Sequence, residues 1–132
     1  MAIPLQSLSG TEVLRRGSVN AQSNTNTYLK FDNTATTAAG NQSNTVPANH
    51  IVTVLNVIFC EQGNNIEDLQ MWVEGPHAQS IYLMNEQDIS AYTTFVWDEK
   101  IVLVGGDSLR VNLKNNTGNV DIWYNYIDQS WV

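Results

Sequence analysis

Apolar and polar residues alternate with a period of two along much of the second half of the chain. The alternation is clearest at Leu109, Val111 and Leu113, and similar short runs are separated by turn residues such as Gly105-Gly106-Asp107. A period of two is typical of half-buried β-strands, and runs spaced by about ten residues are typical of a β-sandwich or barrel. No amphipathic segment of helix length occurs. The pattern predicts an all-β fold, a single antiparallel, jelly-roll-like β-sandwich of about eight strands.

Two segments of this pattern lead to more specific predictions. The run 51–60 is apolar on both faces, with Val57 and Phe59 on the same face as Ile51, which predicts a central strand covered on both sides. The segment 85–91 has room for one helical turn capped by Asp88. The other predicted strands are 12–19, 27–31, 69–74, 80–84, 93–97, 101–104, 108–113 and 120–127.

The first part of the chain has a different composition. Between residues 20 and 49 the large apolar residues are only Tyr28, Leu29, Phe31 and Val46, among many Asn, Ser, Thr and Ala. Such a segment lacks the apolar material for a core of its own. The predicted division is therefore an N-terminal arm and loop over residues 1–45, with one or two short strands, and a sandwich body over residues 46–132.

Charge narrows the classes of function. The 132 residues suffice for one domain, only 14% are charged, and six Lys and Arg against thirteen Asp and Glu give a net charge of −7. Nucleic-acid binding needs clustered cations, so it is not expected. No basic and apolar leader opens the sequence and no apolar run reaches membrane length, so neither a signal peptide nor a membrane partner is expected. A surface rich in neutral polar residues suits an assembly subunit or a sugar binder.

The sequence contains no recognisable arrangement of catalytic or metal-binding residues. Cys60 lies in an apolar run, which predicts a buried thiol, and His50 and His77 stand beside turns without a nucleophile pattern or zinc spacing. Neither a G-x-S-x-G elbow nor a phosphate-binding glycine loop is present. We expect no catalytic residue, no metal and no cofactor, although a calcium ion held by loop carboxylates such as Glu67 and Asp68 stays open.

Aromatic residues on polar faces leave a binding function open. Trp72, Tyr82, Trp123 and Trp131 are placed on such faces by the strand pattern. Exposed aromatic rings stack on sugars in carbohydrate-binding proteins, but they pack beneath loops or at subunit interfaces more often.

Three short motifs resemble those of small β-sandwich virion proteins of tailed bacteriophages. They are Val46-Pro47-Ala48 before the first core strand, Gly106-Asp107 before Leu109-Arg110-Val111, and the closing Val120-Asp121-Ile122-Trp123-Tyr124. In that family a similar turn opens the first core strand, a similar hairpin precedes a similar strand, and a hydrophobic strand ends the chain. The resemblance implies a structural role without catalysis, as a capsid decoration or cement subunit or a small component of the tail.

The leading hypothesis is a cement protein, made in the host cytoplasm, that binds the capsid exterior and bridges major capsid proteins. Its arm would contact the shell through Val13, Leu14, Arg15 and Arg16, and Trp131 would lie between copies of a homotrimer. One alternative is a tail, tail-fibre or baseplate accessory protein.

The other alternative is a lectin-like sandwich that binds a host-surface glycan through Trp72 and Tyr82.

Overall fold

The computed structural model describes residues 11–23, 25–32, 42–76, 79–114 and 119–131, and these ranges contain β-strands without a helix. The all-β prediction is confirmed. The strands are β1 (Thr11–Gln22), β2 (Thr27–Tyr28), β3 (Phe31–Asp32), β4 (Gln42–Ser43), β5 (His50–Glu61), β6 (Glu67–Glu74), β7 (Ser80–Ile89), β8 (Thr94–Trp97), β9 (Ile101–Val104), β10 (Ser108–Leu113) and β11 (Val120–Ser130).

Two antiparallel sheets form the sandwich. Sheet A has the order β1-β11-β5, and β8 and β9 both pair with the free side of β5, one after the other, as a single interrupted strand. Sheet B has the order β2-β10-β6-β7, while β3 and β4 form a small separate pair. The first long strand lies beside the last, and the chain crosses repeatedly from one sheet to the other. This is the predicted jelly-roll arrangement.

The core lies between the two sheets and is filled by every second side chain of the strands, which points inward. Leu109, Val111 and Leu113 of β10 all point inward and are buried, as the period of two predicts. Phe31 adds its ring edge-to-face against Tyr124 and Tyr126 of β11.

Strand β5 is central in sheet A, but the predicted assignment of its faces is wrong. Asn125 of β11 pairs with Asn56 while Tyr126 pairs with Val54, so Leu55 is an extra residue in a β-bulge. A bulge reverses the alternation beyond it. Val52 and Val54 therefore point inward before the bulge, and Val57, Phe59 and Glu61 point inward after it. The outer face of β5 is half-exposed, so the strand is not covered on both sides.

The helical turn expected at residues 85–91 is also absent, because β7 continues to Ile89. Its pairing with β6 is shifted twice, next to Leu83 and next to Glu86, and Glu86 has a φ of 72°. The polar residues of this segment thus accommodate a β-bulge at Glu86 and not a helical turn.

The described part of the predicted N-terminal arm is built into the sandwich. Strand β1 pairs with β11 along nearly its whole length, and Leu29 and Phe31 are fully buried in the common core. The described residues 11–23 and 25–32 are thus part of the sandwich and not an arm outside it, because their few apolar residues join a core that other strands supply. Residues 1–10 and most of the loop expected before residue 45 lie outside the described residues.

Two motifs that are distant in the sequence meet at one end of the sandwich. The amide of Val46 donates to the carbonyl of Asp107 at 2.8 Å, and the amide of Gly106 donates to the carbonyl of Val46 at 2.9 Å. Gly106 has a φ of 94°, a conformation that glycine adopts readily. The Val-Pro-Ala turn and the Gly-Asp hairpin therefore support each other.

Candidate interaction surfaces

The outer face of sheet A is unusually apolar. Antiparallel sheets with one face on the core normally turn polar residues to solvent on the other face. Here Leu14 is 70% exposed and Val102 is 63% exposed. We call the following set the apolar face: Leu14 of β1, Ile51 and Ile58 of β5, Val96 of β8, Val102 and Val104 of β9, and Trp123 and Ile127 of β11.

The strand registers place these side chains in continuous rows. Leu14 is opposite Ile127 of β11, and the row runs on through Thr53 of β5 to Val102 of β9. Trp123, Ile58 and Val96 form a second row across β11, β5 and β8. Since side chains directly opposite each other on one face lie in contact range, the second row is continuously apolar, and the first is apolar except at Thr53.

A polar row, formed by Arg16, Asn125 and Asn56, separates the two apolar rows. Asn125 Nδ2 donates to Asn56 Oδ1 at 2.8 Å, and the Arg16 guanidinium lies 5.3 Å from the centre of the Trp123 ring. The two asparagines already form a hydrogen bond, whereas the exposed guanidinium of Arg16 is a charge that a partner covering this row would have to pair or desolvate.

Cys60 lies on this same face and not in the core, contrary to the prediction, because the bulge in β5 turns it outward. Its thiol is half-exposed and accepts a hydrogen bond from Gln62 Nε2 at 3.5 Å. It borders a depression of about 310 Å³ that Ile58, Asp121 and Trp123 also line.

The outer face of sheet B contrasts with the apolar face, because its large side chains are packed on one another. The Arg110 guanidinium lies 4.5 Å from the Tyr28 ring centre and 5.5 Å from that of Trp72. Trp72 in turn stacks on Tyr82, with the ring centres 5.2 Å apart. Glu74 Oε1 accepts hydrogen bonds from Trp72 Nε1 at 2.9 Å and from Arg110 Nη1 at 3.0 Å. Together these side chains form a strip across all four strands of sheet B, with Tyr28 on β2, Arg110 on β10, Trp72 and Glu74 on β6 and Tyr82 on β7.

These contacts also set the ionisation of Glu74. The hydrogen bond from Trp72 and the positive charge of Arg110 lower the pKa of Glu74 below its ordinary value, although burial opposes the shift. The carboxylate is thus held in its charged form as the acceptor of the strip.

The stacking removes one of the rings on which the lectin alternative depends. Trp72 is only 4% exposed, since Arg110 and Tyr82 flank its ring. A sugar needs an open ring face on which to stack. Of the two predicted rings, Tyr82 alone is exposed.

Next to the strip lies a row of amides and a pair of acids. Asn112 Nδ2 donates to Gln70 Oε1 at 3.0 Å, and Gln70 Nε2 donates to Asn85 Oδ1 at 2.8 Å. Beyond them Asp68 and Asp88 are directly opposite each other on β6 and β7. A hydrogen bond with Asp88, together with burial and the like charge, raises the pKa of Asp68 above its ordinary value.

Glu67 and Asp68 are not placed to bind a calcium ion together. Both residues belong to strand β6 and not to a loop, and Glu67 is buried inward while its neighbour Asp68 points outward. Adjacent strand residues face opposite sides of a sheet, so the two carboxylates do not converge. Among the described residues, no group of three or more His, Cys, Asp or Glu is placed to hold a metal.

The five predicted contact residues divide between the surface and the interior. Leu14 and Arg16 lie on the outer face of sheet A, and Trp131, which follows β11, is 40% exposed. Val13, which is half-buried, and Arg15, which is buried, both point inward. Their predicted role as partner contacts stays a prediction, and for Arg15 the structure shows a role inside the subunit.

That role is a buried charge cluster around Asp128. Arg15 Nε donates to Asp128 Oδ2 at 3.1 Å, and His50 Nδ1 lies 2.7 Å from Asp128 Oδ1. Three strands, β1, β5 and β11, are joined by this cluster. Removing one partner of such a buried pair leaves an uncompensated charge, which is strongly destabilising. The sequence contained one signal of it, since Asp128 falls on the same inward alternation as Tyr124 and Tyr126.

Across the described ranges, none of the secondary structure is a helix long and apolar enough to span a membrane.

Comparisons with known proteins show a likeness of fold. No protein-family model and no curated protein matches the chain. A solved structure from Bacillus endospore appendages, described as a novel family of disulfide-linked pili, is similar over 100% of this chain and 96% of that one, with a TM-score of 0.51 and 2% identity. The coat protein of tobacco streak virus is similar over 98% and 90% of the two chains, with a TM-score of 0.45 and 10% identity. A pentameric capsid protein from metagenomic phage sequences is similar over 98% and 64%, with a TM-score of 0.37 and 15% identity. At 2% identity the likeness to the appendage protein concerns the fold alone.

Proposed function

We propose that this chain is a non-catalytic structural subunit of a tailed-phage virion, and that it acts as a capsid decoration protein. The observation that carries the proposal is the apolar face on sheet A, set against a sheet B whose large outer side chains pack on one another. A large exposed apolar patch on a polar protein marks a surface that another protein covers. The three motifs that resemble small phage virion proteins support the virion as the site of assembly.

In this proposal the sandwich binds with sheet A toward the capsid shell and sheet B toward solvent. The contact is made by a sheet face that includes Leu14 and Arg16, and not by an arm alone. Because the apolar rows cross every strand of sheet A, one copy offers a broad surface with which to bridge neighbouring major capsid proteins. An acidic subunit on the capsid exterior also stays apart from the packaged DNA.

The test compares two aspartate variants of exposed β-branched residues on opposite sheets. Val102→Asp places a charge within the apolar face, and Ile81→Asp places the same charge on sheet B, where Ile81 is 60% exposed. Purified protein is added to capsids that lack it, and binding is followed by co-sedimentation and shell stability by calorimetry. We expect Val102→Asp to weaken binding about tenfold or more, because a buried charge without a partner is costly, and Ile81→Asp to bind like the wild type.

If both variants bound the capsid as tightly as the wild type, the apolar face would not be the surface that contacts the shell. The tail alternative makes a different prediction, which labelling of the protein on intact particles decides. Label at the tail would replace decoration of the capsid with an accessory role in the tail. The homotrimer stays a prediction from the sequence; it and the twofold dimer proposed below are alternatives, which the mass of the free protein distinguishes.

A further inference from the structure

Strand β1 forms an edge of sheet A. It pairs with β11 on one side, and among the described residues no strand lies on its other side. The backbone groups that point away from β11 are therefore placed to accept another strand, as exposed sheet edges commonly do. With twelve residues, β1 is as long as β5, one of the longest strands of the sandwich.

The outward side chains of β1 have a self-complementary charge pattern. Glu12, Leu14 and Arg16 all lie on the outer face and all are exposed. In two antiparallel copies related by a twofold axis at Leu14, residue 12 of each copy is opposite residue 16 of the other. Each copy then forms two acid-base pairs with its partner, with one leucine against the other between them. Opposite charges directly across a strand pair are stabilising and like charges are destabilising.

Other registers lack this match. A twofold axis at Glu12 would place the two acids opposite each other, and an axis at Arg16 would do the same with the two bases. Within one chain Glu12 and Arg16 are four strand residues apart, too far to pair, and neither forms an ion pair in the part of the chain described. Glu12 instead accepts a hydrogen bond from Gln129 Nε2 at 3.0 Å.

We propose that the protein forms a twofold dimer in which β1 pairs antiparallel with β1 of a second copy, centred on Leu14. The two A sheets then form one continuous sheet, and Leu14, the most exposed large apolar side chain among the described residues, packs side by side with its counterpart. The apolar faces of the two copies become a single surface. The dimer is a property of the free protein, so it does not depend on the proposed role in the virion.

Sedimentation equilibrium of the purified protein tests the proposal through charge reversal. Arg16→Glu places like charges opposite each other at both symmetry-related positions, and we expect it to weaken the dimer about tenfold or more. Glu12→Arg is expected to do the same. The double variant Glu12→Arg with Arg16→Glu restores both pairs with the charges exchanged, so its dissociation constant should return close to the wild-type value.

A matched control separates this effect from general repulsion. Lys100→Glu changes the net charge by the same amount as Arg16→Glu, at an exposed residue between β8 and β9, and should leave the dimer unchanged. Circular dichroism and thermal melting confirm that each variant is folded. A monomeric or trimeric wild type would overturn the proposal. It would also be overturned if the single reversals had no effect or if the double reversal failed to restore the dimer.

Discussion

Gly17 of β1 lies directly opposite Tyr124 of β11, and the tyrosine ring occupies the space that a side chain would need. A Cβ atom at Gly17 would overlap the ring Cζ and the hydroxyl oxygen and would lie 2.7 Å from Cε2. The ring has little freedom to move, because it is buried, its hydroxyl donates to the carbonyl of Lys30 at 2.5 Å, and Phe31 packs against its edge. Gly17→Ala is therefore a sharp test of the packing between β1 and the core.

The expected loss follows from the two ways in which the clash can be relieved. Moving β1 to accommodate the methyl group is overpacking, which costs about 1 to 3 kcal/mol. Moving the Tyr124 ring breaks its hydrogen bond to Lys30, about 1 kcal/mol, and disturbs the edge-to-face contact with Phe31, about 1 kcal/mol more. We expect Gly17→Ala to lower the free energy of unfolding by about 2 to 3 kcal/mol and the Tm by roughly 10 °C.

Urea unfolding of a double-mutant cycle with Tyr124→Leu measures the clash itself. Leucine lacks the ring atoms that the new Cβ would meet, so in that background Gly17→Ala should cost less than about 1 kcal/mol, since alanine is favoured over glycine in a strand. Gly75→Ala is the control, because its Cβ would be 3.5 Å from Asp107 Oδ1, an ordinary contact. The same loss with and without the Tyr124 ring would refute this account of the packing.

Two further predictions concern the acids of sheet B. The raised pKa of Asp68 means that this pair contributes stability at a pH below the ordinary aspartate pKa of about 4, and that the contribution is lost as pH rises through the folded-state pKa. Asp88→Asn should therefore stabilise the protein at pH 7 and flatten that loss, as urea unfolding at several pH values will measure. Trp72→Phe removes the indole donor and should raise the pKa of Glu74 toward its ordinary value, which an NMR titration of the carboxyl carbon follows; an unchanged pKa would contradict the assigned cause.

Local patterns were sufficient to predict much of the fold. Where one face of a strand packs on the core without interruption, the period of two identifies the strand and its inward residues, as at Leu109, Val111 and Leu113 of β10. Strand β9 begins and ends where the sequence predicts, at Ile101 and Val104. The jelly-roll class followed from the number and spacing of such strands. These are properties of neighbouring residues, and the sequence contains them directly.

The candidate site was predicted only in part. The sequence drew attention to Leu14 and Arg16, but it placed them on an arm, because a segment poor in apolar residues does not show that distant strands supply its core. It also treated Arg15 as a surface contact, because its partner Asp128 is more than a hundred residues away.

The sequence by itself determined the β class of this protein, most of its strands and the neutral polar character of much of its surface, since each depends on residues close together in the chain. Only the tertiary structure decided which side of β5 faces solvent and that β1 is part of the sandwich. One extra residue at Leu55 reverses the faces of β5, and β1 joins β11 from the other end of the chain. The apolar face arises from both events, because it is assembled from strands whose register depends on contacts between distant parts of the chain.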